Sequence, residues 1–322
     1  MASGSHRVVV AALAANLAIA ACKLVVALVT GSAAMLAEAS HSLADTANQG
    51  FLLVGVRLSR RPPDEKHPFG YATETYFWAF IVALCLFSVG ATFSIWEGAH
   101  KLAGAGGPLQ KLPWAFGVLG VSFVLELYSF SVARREFRAI RAGRSVREAV
   151  ADARDPVVLT VLFEDTAALL GLLVAAAGIA LTAWTGDPRW DGAASIVVGL
   201  ALGAVAFVLA RESKDLLLGE SVPASARRRI KEIVGAAPGV QEVVHVRTLH
   251  FGPQEALAAL KVQFQDGMTT VDIERAIDEI EARLRAELPV LRRIYVEAGR
   301  AAAPAAERPA AGAGARPAES KS

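Results

Sequence analysis

The sequence predicts an α-helical membrane protein: six transmembrane helices followed by a small cytoplasmic α/β domain of αββαβ, ferredoxin-like order. Three observations predict it. Six stretches are apolar over the roughly 20 residues that a helix needs to cross a hydrocarbon core about 30 Å thick. The links between them alternate between cation-poor and arginine-rich. Beyond Gly219, helical spacing gives way in part to the two-residue alternation of strands. With 54% hydrophobic and 20% charged residues and a mean hydropathy of +0.41, the chain is too apolar for an ordinary soluble protein.

The apolar stretches lie near 8–30, 34–57, 75–100, 113–133, 157–183 and 190–210. The run behind the short polar segment Met1 to Arg7 is too long for a signal-peptide core, so it is read as the first membrane helix. Gly31-Ser32, Gly104 to Leu112 and Gly186 to Arg189 are short links with few cations. The link after the second helix carries Arg57, Arg60, Arg61 and Lys66. That after the fourth carries Arg134, Arg135, Arg138, Arg141, Arg144, Arg147 and Arg154. The positive-inside rule makes both cytoplasmic, and with them both termini. After the membrane domain, 1–215, the segment 216–299 has the texture of a small soluble domain. A helix starts near Pro223; strands are expected around Val244 to Thr248, Leu257 to Phe264 and Ile294 to Val296; a helix from Val271 to Leu288 is opened by Thr269-Thr270. Residues 300–322 are rich in Ala, Pro and Gly and are expected to be a disordered tail.

Composition excludes several functions. A net charge of +2, without a basic stripe interleaved with aromatics, speaks against a nucleic-acid partner. Cys22 and Cys85 stand far apart in apolar runs, so they form neither a redox pair nor a thiolate metal cluster. No HExxH helix and no Ser-His or Cys-His arrangement is present, so no enzyme and no prosthetic group are expected.

A carboxylate or imidazole in a membrane helix costs several kcal/mol on most scales and calls for a reason. The second helix carries Glu38, His41, Asp45 and Asn48 at three- and four-residue intervals, on one face. His41 and Asp45, one turn apart, can hold the same ion. The fifth carries Glu164 and Asp165 near the middle of an apolar run; neighbours on a helix point about 100° apart, so only one aims squarely at the second helix. An imidazole with two or three carboxylates suits a borderline divalent cation. Nitrogen and oxygen ligands at tetrahedral count favour zinc, and an all-oxygen octahedron favours manganese or magnesium. Glu97 and Glu126 are expected to be structural, through helix-to-helix hydrogen bonds or snorkelling. Lys23 is either a charge lock or an interface residue.

The pattern His41-Ser42-Leu43-Ala44-Asp45, followed by Asp64-Glu65-Lys66-His67-Pro68-Phe69-Gly70-Tyr71, resembles the cation diffusion facilitators. Further matches are Trp96-Glu97-Gly98, Asp191 with Ser195-Ile196, and Leu217-Leu218-Gly219-Glu220-Ser221. Arg154-Asp155-Pro156-Val157 and Glu164-Asp165-Thr166 are most similar to the zinc transporter 9 branch. The resemblance implies a secondary transporter exporting zinc from the cytoplasm by proton antiport, as a homodimer; the Ala- and Arg-rich composition points to a bacterial inner membrane, with a mitochondrial membrane as the alternative. Manganese, iron or cobalt as cargo, or a transport-inactive sensor or assembly partner, is the alternative. It implies metal ligands at His41, Asp45 and Asp165, with Glu164 in place of the ligand that Val161 lacks, and lesser candidates at Glu38, Asn48, Asp64, His67 and His245. Tyr71 stands where some relatives have a third loop ligand. The segment Ile294 to Ala298 lacks the His and Asp that would accompany His245, so His245 and His250 are expected at the surface or an interface. The first, second, fourth and fifth helices would move against the third and sixth.

Overall fold

The computed structural model of the chain describes residues 2–30, 33–105, 112–141, 143, 145, 149–150 and 155–300; the side chains of residues 33–41 lie outside what is described. The described residues fall into two units, one up to Val222 with Leu249–Ala256, the other 223–248 with 257–300.

The first unit contains six long helices among the described residues. They are α1 (Ala2–Thr30), α2 (Ala33–Leu58), α3 (four joined stretches, Glu74–Cys85, Leu86–Ala91, Thr92–His100 and Lys101–Ala105), α4 (Leu112–Arg141), α5 (Pro156–Thr185) and α6 (Arg189–Leu218). Five are long and apolar enough to cross a membrane. The other, α2, is interrupted by the polar run Asp45, Thr46, Asn48 and Gln49.

Two helices outrun their apolar stretches. Helix α4 continues to Arg141, which places Arg134, Arg135, Arg138 and Arg141 on a helical extension and not in a link. Hydropathy marks where lipid ends, whereas arginine continues a helix well. Helix α6 continues to Leu218 and stops at Gly219, whose φ of 101° is left-handed. Helix α5 begins where its sequence says it should: Asp155 accepts a hydrogen bond from Val157 N at 3.1 Å, and Pro156 fills the first helical position. Ser5 Oγ donates to the other Asp155 oxygen and ties α1 to this start. Above it an apolar cluster gathers Val8 and Val9 of α1, Leu52 of α2, Val82 of α3, Phe137 of α4, and Val157 and Val161 of α5.

Helices α3 and α6 meet backbone to backbone. A Cβ on Gly98 would lie 2.5 Å from Gly192 O, and one on Gly199 would lie 2.9 Å from Ile95 N. Between Leu86 and Ala91 helix α3 takes the wider π spacing of hydrogen bonds, Thr92 N donating to Phe87 O. The apolar periodicity of this stretch gives no sign of it, because the slip is a local backbone choice.

The small α/β domain has α7 (Ala224–Gly235), β1 (Val240–Gly252), β2 (Glu255–Phe264), α8 (Thr270–Glu287) and β3 (Leu291–Ala298), the strands ordered β1-β2-β3. Along β2 every second residue is buried, Ala256, Ala258, Leu260, Val262 and Phe264. Ile230 and Val234 of α7 and Ile280 and Leu284 of α8 are buried too. Residues 301–322, most of the expected tail, lie outside the described residues.

Helix α8 opens with a reciprocal cap: Thr269 Oγ1 accepts from Asp272 N, and Asp272 Oδ2 accepts from Thr269 N, both at 3.2 Å. Thr269→Ala removes one half of it at a cost of about 1 kcal/mol. The expected result is faster amide hydrogen exchange confined to the first turn of α8; unchanged protection there would show the cap to be unimportant.

Candidate functional site

A cavity of about 430 Å³ lies inside the first unit. Its wall includes Asp45 of α2, Glu126 of α4, and Glu164 and Asp165 of α5, with Lys23 of α1 and Ser42 of α2. Asp45 is half-buried, while Glu126, Glu164 and Asp165 are buried. The two adjacent acids of α5 divide their contacts as their angular separation requires. Glu164 turns to α2, where its Oε2 accepts from Gln49 Nε2 at 2.7 Å. Asp165 turns to α4, where its Oδ2 accepts from Ser129 Oγ at 2.7 Å. Both nevertheless reach the same cavity. Also at its wall, Lys23 Nζ donates to Ser42 Oγ at 2.8 Å.

Of the residues singled out from sequence, Asp45, Glu164 and Asp165 thus come together. The side chains of Glu38 and His41 lie outside the described residues; the backbone of His41 sits on α2 one turn before Asp45. Asn48 is buried and does not line the cavity. Val161, one turn before Asp165, has no exposed surface and belongs to the apolar cluster. Among the described residues no three His, Cys, Asp or Glu side chains converge closely enough to hold a metal ion as they stand.

The loop candidates form a local turn. Asp64 Oδ1 accepts from His67 N and Oδ2 from the Tyr71 hydroxyl, each at 2.6 Å, and His67 Nδ1 lies 3.6 Å from Asp64. The Tyr71 hydroxyl above all, then the His67 backbone, holds the Asp64 carboxyl below the usual aspartate range, and the carboxylate raises Tyr71 in turn. These bonds therefore persist at neutral pH and are lost only as the pH falls through that lowered value. In the soluble domain His245 is half-buried on β1. Glu297 of β3 pairs with Lys261 at 2.8 Å and is held low by it. His250, expected at a surface or interface, is buried, with Nδ1 3.3 Å from Gly252 O.

Two acids were expected to be structural. Glu97 is: Lys101 Nζ bridges it at 2.9 Å and Asp191 of α6 at 2.8 Å, a lock across the tight α3 and α6 contact. Glu126 departs from the expectation. Among the described residues no hydrogen bond reaches its carboxyl, and the charged groups that act on it are Asp165, Asp45 and Lys23. The sequence does carry a signal for it: Ser122, Glu126 and Ser129 form a polar stripe at helical spacing within the apolar part of the helix, and all three are buried.

The cation efflux transmembrane domain matches residues 9–218, and the cation efflux protein cytoplasmic domain matches residues 222–298. Similar proteins include the proton-coupled zinc antiporter SLC30A9, mitochondrial, of Xenopus laevis, 35% identical over 88% of this chain and 52% of that protein. The human protein of the same name is 34% identical over 78% of this chain and 46% of its own length. Metal tolerance protein C4 of Arabidopsis thaliana is 32% identical over 82% of this chain and 58% of that protein. The chain spans about half the length of these curated relatives. With its membrane helices matched almost end to end, and its small α/β domain matched as well, the chain belongs to the cation efflux family.

Proposed function

We propose that the chain is a secondary transporter that carries a divalent metal cation, zinc foremost, out of the cytoplasm in exchange for protons. The observation that carries this reading is the cavity whose wall joins Asp45 of α2 to Asp165 and Glu164 of α5. Carboxylates facing a lipid-embedded cavity need neutralising, and a divalent cation or protons can each do so. Because ligands bind metal only when deprotonated, the two compete for the same groups, and that competition is the coupling. Protons arriving from the non-cytoplasmic side displace the metal there and return inward.

Asp45 and Asp165 are the ligands, joined by His41 one turn along α2. Ser129 orients Asp165. Glu164 adds a carboxylate at the wall, and its bond to Gln49 fastens α5 to α2. The α3 and α6 pair, locked by glycine contacts and by Lys101, is the frame against which α1, α2, α4 and α5 rock. The family's cytoplasmic domain supports assembly as a homodimer.

The test is zinc uptake by proteoliposomes of the purified full chain under an imposed pH gradient. Uptake that collapses with the gradient is expected; uptake indifferent to it, or none, contradicts the proposal. His41→Asp gives the imidazole position to oxygen and should lower the zinc-over-manganese preference in competition assays. An unchanged preference would remove His41 as the selectivity element.

A further inference from the structure

We propose that Glu126 of α4 is a direct ligand of the transported cation, completing from a third helix the shell begun by Asp45 and Asp165. The proposal rests on the functional reading above and names a residue that neither the paired-ligand pattern of α2 and α5 nor the spacing of the apolar stretches points to. Three observations carry it.

The first is placement. Glu126 lines the cavity together with Asp45 and Asp165, and both of these carboxylates act on it electrostatically. Lys23 of α1 is the one cation among the charged groups that act on it. The second is the face of α4. Ser129, one turn further along, already bonds the Asp165 carboxylate. A residue three positions earlier on the same helix projects from the same face, so Glu126 is directed at the space in front of that carboxylate. The third is the state of the carboxyl. It is 9% exposed, and among the described residues no hydrogen bond reaches it. A buried carboxylate without a partner is costly, and a site that binds a cation supplies the partner.

Glu164 differs on that last point. It must give up its bond to Gln49 to meet an ion, whereas Glu126 gives up nothing. Val161 cannot help, because it faces the apolar cluster. The three described carboxylates do not yet converge on one point. Glutamate has the rotamers to close the distance once an ion arrives, and the ion draws in Asp45 and Glu126 while Ser129 holds Asp165. The resulting shell is oxygen-rich with one imidazole position, which suits zinc and still admits manganese or iron.

The test uses the detergent-purified full chain, titrated calorimetrically with zinc and with cadmium. Glu126→Gln keeps shape and removes charge. Its melting temperature without metal should match the parent, while zinc affinity falls by at least the roughly tenfold that losing even an outer partner costs. Glu126→Cys offers a soft ligand in the same place and should raise the cadmium-over-zinc affinity ratio about tenfold above that of the parent, which itself carries Cys22 and Cys85. A structural role moves neither quantity. If Glu126→Gln does not fold, the Glu126→Cys ratio decides. Parent-like zinc affinity in Glu126→Gln, or an unshifted cadmium ratio in Glu126→Cys, overturns the proposal and leaves the functional reading in place. A parent that binds no divalent ion overturns both.

Discussion

Asp45→Asn and Asp165→Asn should each abolish zinc uptake driven by a pH gradient, while the protein still inserts, purifies as a single species and melts as the parent does. Both changes keep the side-chain shape. In Asp165→Asn the amide oxygen can still accept from Ser129 Oγ, so that 2.7 Å contact is retained and what disappears is the anionic ligand. Each carboxylate stands in a wall shared with further acids, so losing one negative charge relieves repulsion and costs the fold little. Metal binding loses a charged ligand in a low-dielectric setting, where it contributes most. The result to measure is initial uptake rate against metal concentration. A parental rate in either variant would mean that the ion passes elsewhere.

The second large effect concerns the frame. Gly98→Ala should destabilise the membrane unit and reduce transport together, because the added Cβ would meet Gly192 O at 2.5 Å and Ile196 N at 2.9 Å. Both are backbone atoms and cannot turn aside, so α3 and α6 must separate. Overpacking of this kind costs typically about 1–3 kcal/mol, and here the lock of Lys101 to Asp191 would stretch with it. Gly117→Ala and Gly120→Ala on α4 are the controls. A Cβ at either meets nothing within 4 Å, and exchanging helical glycine for alanine is favourable by up to about 1 kcal/mol. Melting temperatures should therefore fall for Gly98→Ala and hold or rise for the controls. Equal behaviour of all three would dismiss the close contact as a stabilising feature.

Much of this architecture is legible in the sequence because membrane helices and half-buried strands advertise themselves by periodicity. The six apolar stretches and the strand around Val244 to Thr248 reappear with longer bounds, and the helix opened at Thr269 reappears shifted by one residue. Their ends were less legible, since the arginines beyond Ala133 end the apolar stretch without ending the helix. In the candidate site, ligand-type residues one helical turn apart on a single element announce themselves, as Asp45 does beside His41. What spacing along one helix cannot give is the partner on another. Gln49 reaching Glu164, Ser129 reaching Asp165, and Lys101 reaching Asp191 join positions 115, 36 and 90 residues apart. For the same reason the stripe of Ser122, Glu126 and Ser129 on α4 does not reveal what it faces until α4 is set against α2 and α5. Val161 reads as a gap in a ligand pattern, whereas in the fold it fills the apolar cluster with Val8 and Leu52. A histidine placed there would enter that cluster and not the cavity wall.

The position of the ion tests the account most directly. A structure of the full chain with bound zinc, its ion identified by anomalous scattering at the zinc edge, would decide it. The account predicts one strong peak inside the cavity, about 2.0–2.2 Å from an oxygen of Asp45 and of Asp165 and from a nitrogen of His41. A peak only at the Asp64 and His67 turn, or only at His245 of the α/β domain, with none beside Asp165, would contradict it.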